Sequence, residues 1–264
     1  MNIFLPFSDL LPCGVCSFSD LADNLINCRA KSRLPEKSKS VIVYLFPYYL
    51  GKEFYKDSNI SKYSVSEDYH NIVGEYLGKA TVELQKNYPD YNFQWFCDNS
   101  PIPEVTAAVN AGLGVKGLNG LLINEQYGSF CFIGEIVTDM EITPSLYKNG
   151  TCLNCQKCIN MCAGKALGGM FSKDKCLSHI TQKKGVLEAW EQELIKANGC
   201  AWGCDVCQDV CPMNNDVKIT PVTEFIKSAK PVFMKGDSVE GRAFSWRGPQ
   251  VIERNLAIIC CKDK

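Results

Sequence analysis

The cysteines between Cys152 and Cys211 constrain this chain more than any other feature. Cys152-Leu-Asn-Cys155-Gln-Lys-Cys158-Ile-Asn-Met-Cys162 is spaced C-x2-C-x2-C-x3-C, and Cys204-Asp-Val-Cys207-Gln-Asp-Val-Cys211-Pro212 follows as C-x2-C-x3-C-P. The first spacing is the bacterial ferredoxin pattern for a [4Fe–4S] cluster. The two runs hold seven cysteines, and Cys176 between them makes eight, the number that two four-thiolate cubes require. In two-cluster proteins of this kind the last cysteine of each run crosses to the other cluster. One cluster is therefore expected on Cys152, Cys155, Cys158 and Cys211, and the other on Cys162, Cys176, Cys204 and Cys207. Zinc uses C-x2-C pairs but needs four ligands in all, so the longer run argues against it. Disulfides would require an oxidising compartment, which no export signal supports.

The 264 residues suffice for one good core, or for a larger and a smaller domain in tandem. Apolar residues make up 46% and charged ones 22%, and the net charge is −1, so any nucleic-acid contact must come from a local patch. No apolar run has the length to cross a bilayer, and the N-terminus lacks a basic leader. Sixteen cysteines without an export signal predict reduced thiols and a cytoplasmic protein with no membrane partner.

Along the chain, Leu11–Phe18 predicts a strand leading into a helix near Ser19, and Ser40–Phe46 a buried strand ended by Pro47. Gly51–Ser66 is a polar loop. From Asp68 the spacing of Ile72, Val73, Leu77, Ala80 and Leu84 predicts a helix that stops at Tyr88-Pro89. Phe93–Cys97 is the next strand. It runs into Asp98-Asn-Ser100-Pro101, where Ser100 is expected to cap a helix with Pro101 at its first position. Strands are expected near Leu121–Ile123 and Ser129–Val137, and a short helix over Val251–Cys260. The expected class is α+β or α/β: an N-terminal mixed sheet with helices, a ferredoxin-like double-cluster module and a short helical tail. The boundaries fall at residues 1–145, 146–215 and 216–264.

Gly112-Leu-Gly114-Val-Lys-Gly117 matches G-x-G-x-x-G, but a helix precedes it and a strand follows, the reverse of a dinucleotide site. A glycine turn that lets backbone approach closely is the better reading. Asp68-Tyr-His70-Asn-Ile-Val-Gly74 misses D-x-H-x-x-G by one residue, so His70 is not read as a cobalt ligand. Asp98 follows a strand at its carboxyl end, where open sheets place ligands. Beside an apolar cofactor its pKa is expected to rise, which would let it deliver a proton.

Several stretches together resemble the cobalamin-dependent epoxyqueuosine reductases. They are Ser40–Phe46, Tyr63-Ser-Val-Ser-Glu-Asp-Tyr-His70, Asp98-Asn-Ser-Pro-Ile-Pro-Glu104, Ala111-Gly-Leu-Gly-Val-Lys-Gly-Leu-Asn119, Gly128-Ser-Phe-Cys-Phe-Ile-Gly-Glu-Ile136 and the cysteine module with Cys176-Leu-Ser-His-Ile-Thr181. The resemblance implies two [4Fe–4S] clusters feeding electrons to a cobalamin held between residues 1–145 and the cluster module. It implies reduction of epoxyqueuosine to queuosine in tRNA, with Asp98 as proton donor. It places Tyr63, Ser64, Tyr69, His70, Leu122, Ile133, Ser178 and Asp205 around the corrinoid. An external donor such as a flavodoxin or ferredoxin is implied as a partner.

The chain departs from the family pattern at Leu118 (lysine in the family), Ser66 (glycine) and Ala163 (proline). The tail resembles a truncated start of the family's helical C-terminal domain. Two other readings stay open: a corrinoid reductase of a different small substrate, and a non-enzymatic two-cluster electron carrier.

Overall fold

In the computed structural model, which describes residues 3–146 and 150–260, the centre is a strand with no exposed side chain. All eight residues of Ser40–Pro47 are buried, because both faces of this β-branched and aromatic run are covered. With β1 (Cys13–Ser17), β2 (Ser40–Pro47), β3 (Phe93–Cys97), β4 (Val115–Lys116), β5 (Leu122–Ile123) and β6 (Cys131–Thr138) numbered along the chain, the main sheet has the order β1-β2-β6-β3. β4 and β5 form a separate hairpin.

Every pairing in the main sheet is antiparallel, so the expected mixed sheet and the α/β alternative are corrected to α+β. The reason is the late strand. β2 and β3 run parallel to each other, joined by a crossover through helix α1 (Tyr69–Asn87), which gives the sequence its strand–helix–strand rhythm. β6 comes later in the chain and inserts antiparallel between them.

The two faces follow the period-two alternation of a strand. Ile42, Tyr44 and Phe46 join one core with Ile72, Val73, Leu77 and Leu84 of α1. Val41, Val43 and Leu45 join another with Ala107 and Ala108 of α2 (Glu104–Asn110). Asp68 caps α1 by accepting from the His70 backbone N–H at 3.1 Å. α2 starts three residues later than the expected Pro101. Ser100 instead accepts from Ile102 N–H at 3.1 Å and caps a turn. The helix expected after Phe18 is replaced by short 3-10 turns.

The remaining helices are α3 (Lys157–Asn160), α4 (Leu177–Ile180), α5 (Ala189–Asn198), α6 (Val206–Asp209), α7 (Thr223–Lys227) and α8 (Pro249–Cys260). The tail does not stand apart. Val251, Ile252 and Leu256 of α8 pack with Trp202 of the cysteine module and with Ile60 and Val65 of the N-terminal half. Asn255, fully buried, donates to the carbonyls of Thr181 and Ala201 at 2.7 and 2.8 Å. No helix among the described residues is long and apolar enough to cross a membrane.

Candidate active site and cysteine module

β3 ends at Cys97 opposite Gly134, so Cys131–Ile133 of β6 have no strand beside them on that side. Asp98 sits in this gap. It and Asn99 take left-handed backbone conformations (φ 50° and 31°), which turn the chain sharply out of the sheet. The cap of α1 faces the gap from across. Tyr69 stacks on Phe132 (ring centroids 4.1 Å apart, 7° between planes) and on His70 (4.1 Å, 27°). The Tyr69 hydroxyl donates to Asp98 Oδ2 at 2.9 Å. His70 lies between two carboxylates, with Nδ1 2.7 Å from Asp68 Oδ1 and Nε2 3.4 Å from Asp98 Oδ2.

In this structure Asp98 is shifted the opposite way from that expected of an acid facing an apolar cofactor. Its pKa falls to about 2, chiefly through His70, with the Asn99 N–H and the Tyr69 hydroxyl adding to the effect and burial opposing it. His70 rises to about 9, held charged first by Asp68 and then by Asp98. At neutral pH the proton of this group therefore rests on the imidazole.

Behind Asp98 lie two carboxyls that sequence reading passed over. Glu135 is fully buried in β6, where the Ser100 hydroxyl only partly offsets the loss of solvent. Glu104 Oε1 is likewise buried, with no hydrogen-bonding partner among the described residues. Burial raises both pKa values, and each is raised further by neighbouring acid groups. The available signal was Glu135 itself, a charge inside the otherwise apolar run Phe130–Val137.

Tyr63 links this gap to the cysteine module. It packs with the core that takes Tyr69 and Phe132 and with the one that holds Trp202, and burial raises its pKa. Its hydroxyl accepts from Trp202 Nε1 at 2.7 Å. Asp205 accepts from the Lys62 N–H at 2.7 Å and lies 3.6 Å from Lys62 Nζ, which also reaches Asp209 at 2.6 Å. Burial raises the Asp205 pKa, and Lys62 opposes the shift. The seam is tight. A Cβ at Gly203, whose φ is +78°, would stand 1.9 Å from Ser61 Oγ, and one at Gly128 (φ +58°) would stand 2.1 Å from Asn214 Oδ1. Across the same seam, Gln208 Oε1 accepts from Ser129 Oγ at 3.0 Å and from the Tyr48 hydroxyl at 3.3 Å.

Within the module the thiols fall into two neighbourhoods. Cys152, Cys155, Cys158 and Cys211 line one cavity, closed by Gly117, Leu118 and Asn119 of the β4–β5 turn. Burial pushes the Cys204 and Cys207 thiols up to about 12, and the sulfurs of Cys162 and Cys176 add to both shifts. Asn119 hydrogen-bonds Cys207 and counters its rise. Among the described residues no three His, Cys, Asp or Glu side chains are grouped to hold a single metal ion. A cube places each thiolate on its own iron, so its ligands stand farther apart than those of one ion. The glycine stretch does let backbone approach closely: a Cβ at Gly114 would stand 2.4 Å from the Ile123 carbonyl.

The residues expected around a corrinoid divide into two sets. Tyr69 and His70 present an aromatic wall beside Asp98, with Ile133 half-buried in the strandless part of β6 and Ser178 half-buried on α4. Ser64 is fully buried, and its hydroxyl donates to the Ser61 carbonyl. Leu122 lies in the core under α2, and Asp205 is taken up by Lys62. An apolar group beside Asp98 would meet Tyr69 and His70 directly, whereas Ser64, Leu122 and Asp205 are engaged inside the protein. A separate cavity of about 560 Å³, bordered by Cys13, Gly114, Asn124 and Met213, includes none of these residues.

Comparison with known proteins agrees with both halves. Residues 151–214 match the 4Fe-4S double cluster binding domain, and residues 29–99 match epoxyqueuosine reductase QueG, DUF1730. An epoxyqueuosine reductase of Lactococcus garvieae is 32% identical over 78% of this chain and 62% of its own. One of Leadbetterella byssophila is 31% identical over 81% of this chain and 71% of its own. A crystal structure of epoxyqueuosine reductase with an epoxyqueuosine-modified tRNA-Tyr stem loop superposes with a TM-score of 0.77. It has 22% identity and covers 96% of this chain and 78% of that one, a likeness of fold. The chain spans between 55% and 62% of the length of the first curated relatives it matches. On this identity and coverage, the chain belongs to the epoxyqueuosine reductase family.

Proposed function

We propose that this chain is an iron–sulfur oxidoreductase that reduces epoxyqueuosine to queuosine in tRNA, using electrons from an external one-electron carrier and a bound cobalamin. The observation that carries the reading is the position of Tyr63, which packs with the core that takes Tyr69 and Phe132 and also with Trp202 of the cysteine module, to which its hydroxyl is bonded. The reaction consumes two electrons and two protons, turns the epoxide into an alkene and releases its oxygen as water. Cobalamin, when bound, supplies a strongly reducing cobalt centre that takes on the bond-breaking chemistry.

The chain's own residues supply the rest. Cys152, Cys155, Cys158 and Cys211 hold one cluster, and Cys162, Cys176, Cys204 and Cys207 the other. Tyr69, His70, Ile133 and Ser178 bound the corrinoid face, while Tyr63, Ser64, Leu122 and Asp205 fix the walls from behind. Asp98 is the group that hands a proton to the departing oxygen. Because it is ionised beside a charged His70, it relays the imidazolium proton rather than storing its own.

The test is anaerobic turnover of an epoxyqueuosine-containing stem loop by chain reconstituted with iron, sulfide and cobalamin. Asp98→Asn is expected to lose about 100-fold or more in kcat, the usual scale for a lost acid–base group, with iron content unchanged. Full activity in Asp98→Asn would remove it from the mechanism. Iron bound without cobalamin and without turnover would favour the electron-carrier reading.

A further inference from the structure

Residues 151–175 carry four lysines (Lys157, Lys165, Lys173 and Lys175) against one acid, Asp174, a local net of +3 in a chain of net −1. All four lysines are exposed. Large apolar side chains are exposed among them: Leu153 62%, Met161 57%, Met170 97% and Phe171 56%. The segment is folded onto itself. Lys165 Nζ donates to the Asn160 carbonyl at 2.7 Å, Ser172 N–H donates to the Ala166 carbonyl at 3.0 Å, and a Cβ at Gly168 would stand 3.0 Å from Ile159 Cγ2. At its start lies Cys155, the one exposed thiol of the cavity it shares with Cys152, Cys158 and Cys211.

A compact segment that exposes lysines together with methionine, leucine and phenylalanine has the composition of a transient protein interface, which combines apolar contact, adaptable methionines and charge. Phosphate backbone gains little from four exposed apolar side chains, which favours a protein over tRNA on this face. Resting on the two-cluster reading above, we propose that this face docks a small acidic one-electron carrier, with the carrier's redox group brought against Cys155. In each encounter the carrier is oxidised by one electron and the nearer cluster is reduced by one. No bond is made or broken and no proton moves, and two encounters supply one two-electron turnover. The lysines act by steering: they raise the encounter rate at low salt and lose that effect as salt rises.

The experiment uses the full chain with both clusters loaded and no tRNA, mixed anaerobically with reduced flavodoxin, and follows bleaching of the cluster absorbance. The variant Lys157→Glu/Lys165→Glu/Lys173→Glu/Lys175→Glu is compared with the unaltered chain, and Met170→Ser/Phe171→Ser serves as a second variant. Charge reversal takes the segment from +3 to −5, so it is expected to slow second-order reduction by about tenfold or more at low ionic strength and to reverse its salt dependence, the rate rising as salt screens the repulsion. Reduction by dithionite, which needs no docking, is expected to stay within about twofold. The serine pair is expected to slow flavodoxin but not dithionite. Equal flavodoxin rates in all three proteins, or equal slowing with dithionite, would overturn the docking face. So would a lysine variant that keeps its flavodoxin rate but loses tRNA stem-loop binding. Chain that takes up no iron would instead overturn the two-cluster reading, and the iron assay separates the two failures.

Discussion

Tyr69 and Asp98 meet through a 2.9 Å hydrogen bond from the phenol to Oδ2, although one residue opens a helix and the other closes a strand 29 positions later. That bond aligns the aromatic wall with the acid, and His70 completes the group from the same helical turn.

The pair's charge state gives a pH signature. His70 holds its proton up to about pH 9, while Asp98 is ionised down to about pH 2. If the imidazolium feeds Asp98, kcat/KM falls as pH rises through about 9, and His70→Gln loses that limb along with most of the activity. A profile unchanged by the substitution would show that the proton comes from elsewhere.

Glu135 ties stability to pH in a defined direction. Unfolded, it titrates near its ordinary 4.5; folded, burial raises that value. Between the two the folded chain holds the extra proton, so the contribution is complete below about 4.5 and is lost as pH rises toward the folded value. Glu135→Gln removes this loss. The melting temperature of the variant relative to the unaltered chain is expected to climb from pH 5 to pH 8. A difference that stays constant with pH would mean the carboxyl is ionised in both states.

Gly203 keeps the seam closed. Gly203→Ala meets both a left-handed backbone and the Ser61 hydroxyl, whereas Gly199→Ala, at φ +61° with open space around it, meets the backbone cost alone. The Gly199 change is expected to cost about 1 kcal/mol, and the Gly203 change about 1–3 kcal/mol beyond it, read from unfolding. Similar losses for both would show that the seam yields.

The crossed ligand sets can be read from iron content. Cys155→Ser and Cys176→Ser are each expected to retain about four of about eight irons, because each disables one cube. The remaining cluster should differ between the two by electron paramagnetic resonance. Identical spectra would place both cysteines on one cluster.

Much of this was legible in the sequence, because it depends on local spacing. Ser40–Pro47 and Phe93–Cys97 are apolar runs bounded by breakers, and they form where expected. The cysteine runs needed no tertiary information to be grouped. The sheet's direction was not legible, since it is decided by β6, which arrives late and separates β2 from β3. The influence of His70 on Asp98 was not legible for a similar reason: His70 lies on another element, and in this structure it outweighs burial. Burial of Ser64 under Ser61, and of Asp205 beneath Lys62, depends on a seam that no single segment encodes.

Asn255 also bears on the timing of assembly. Its amide ties together the carbonyls of Thr181 and Ala201, which lie just beyond Cys176 and just before Cys204. The loops carrying Cys176 and Cys204, the proposed ligands of the second cube, are thus clamped by a residue synthesised some fifty positions after the later of them. Some fifty further residues must be made before that spacing is fixed, so a cluster on these cysteines is expected to fill only after α8 has been synthesised and docked. Asn255→Leu is expected to leave the first cube intact while the second fills slowly, as seen in the time course of iron uptake.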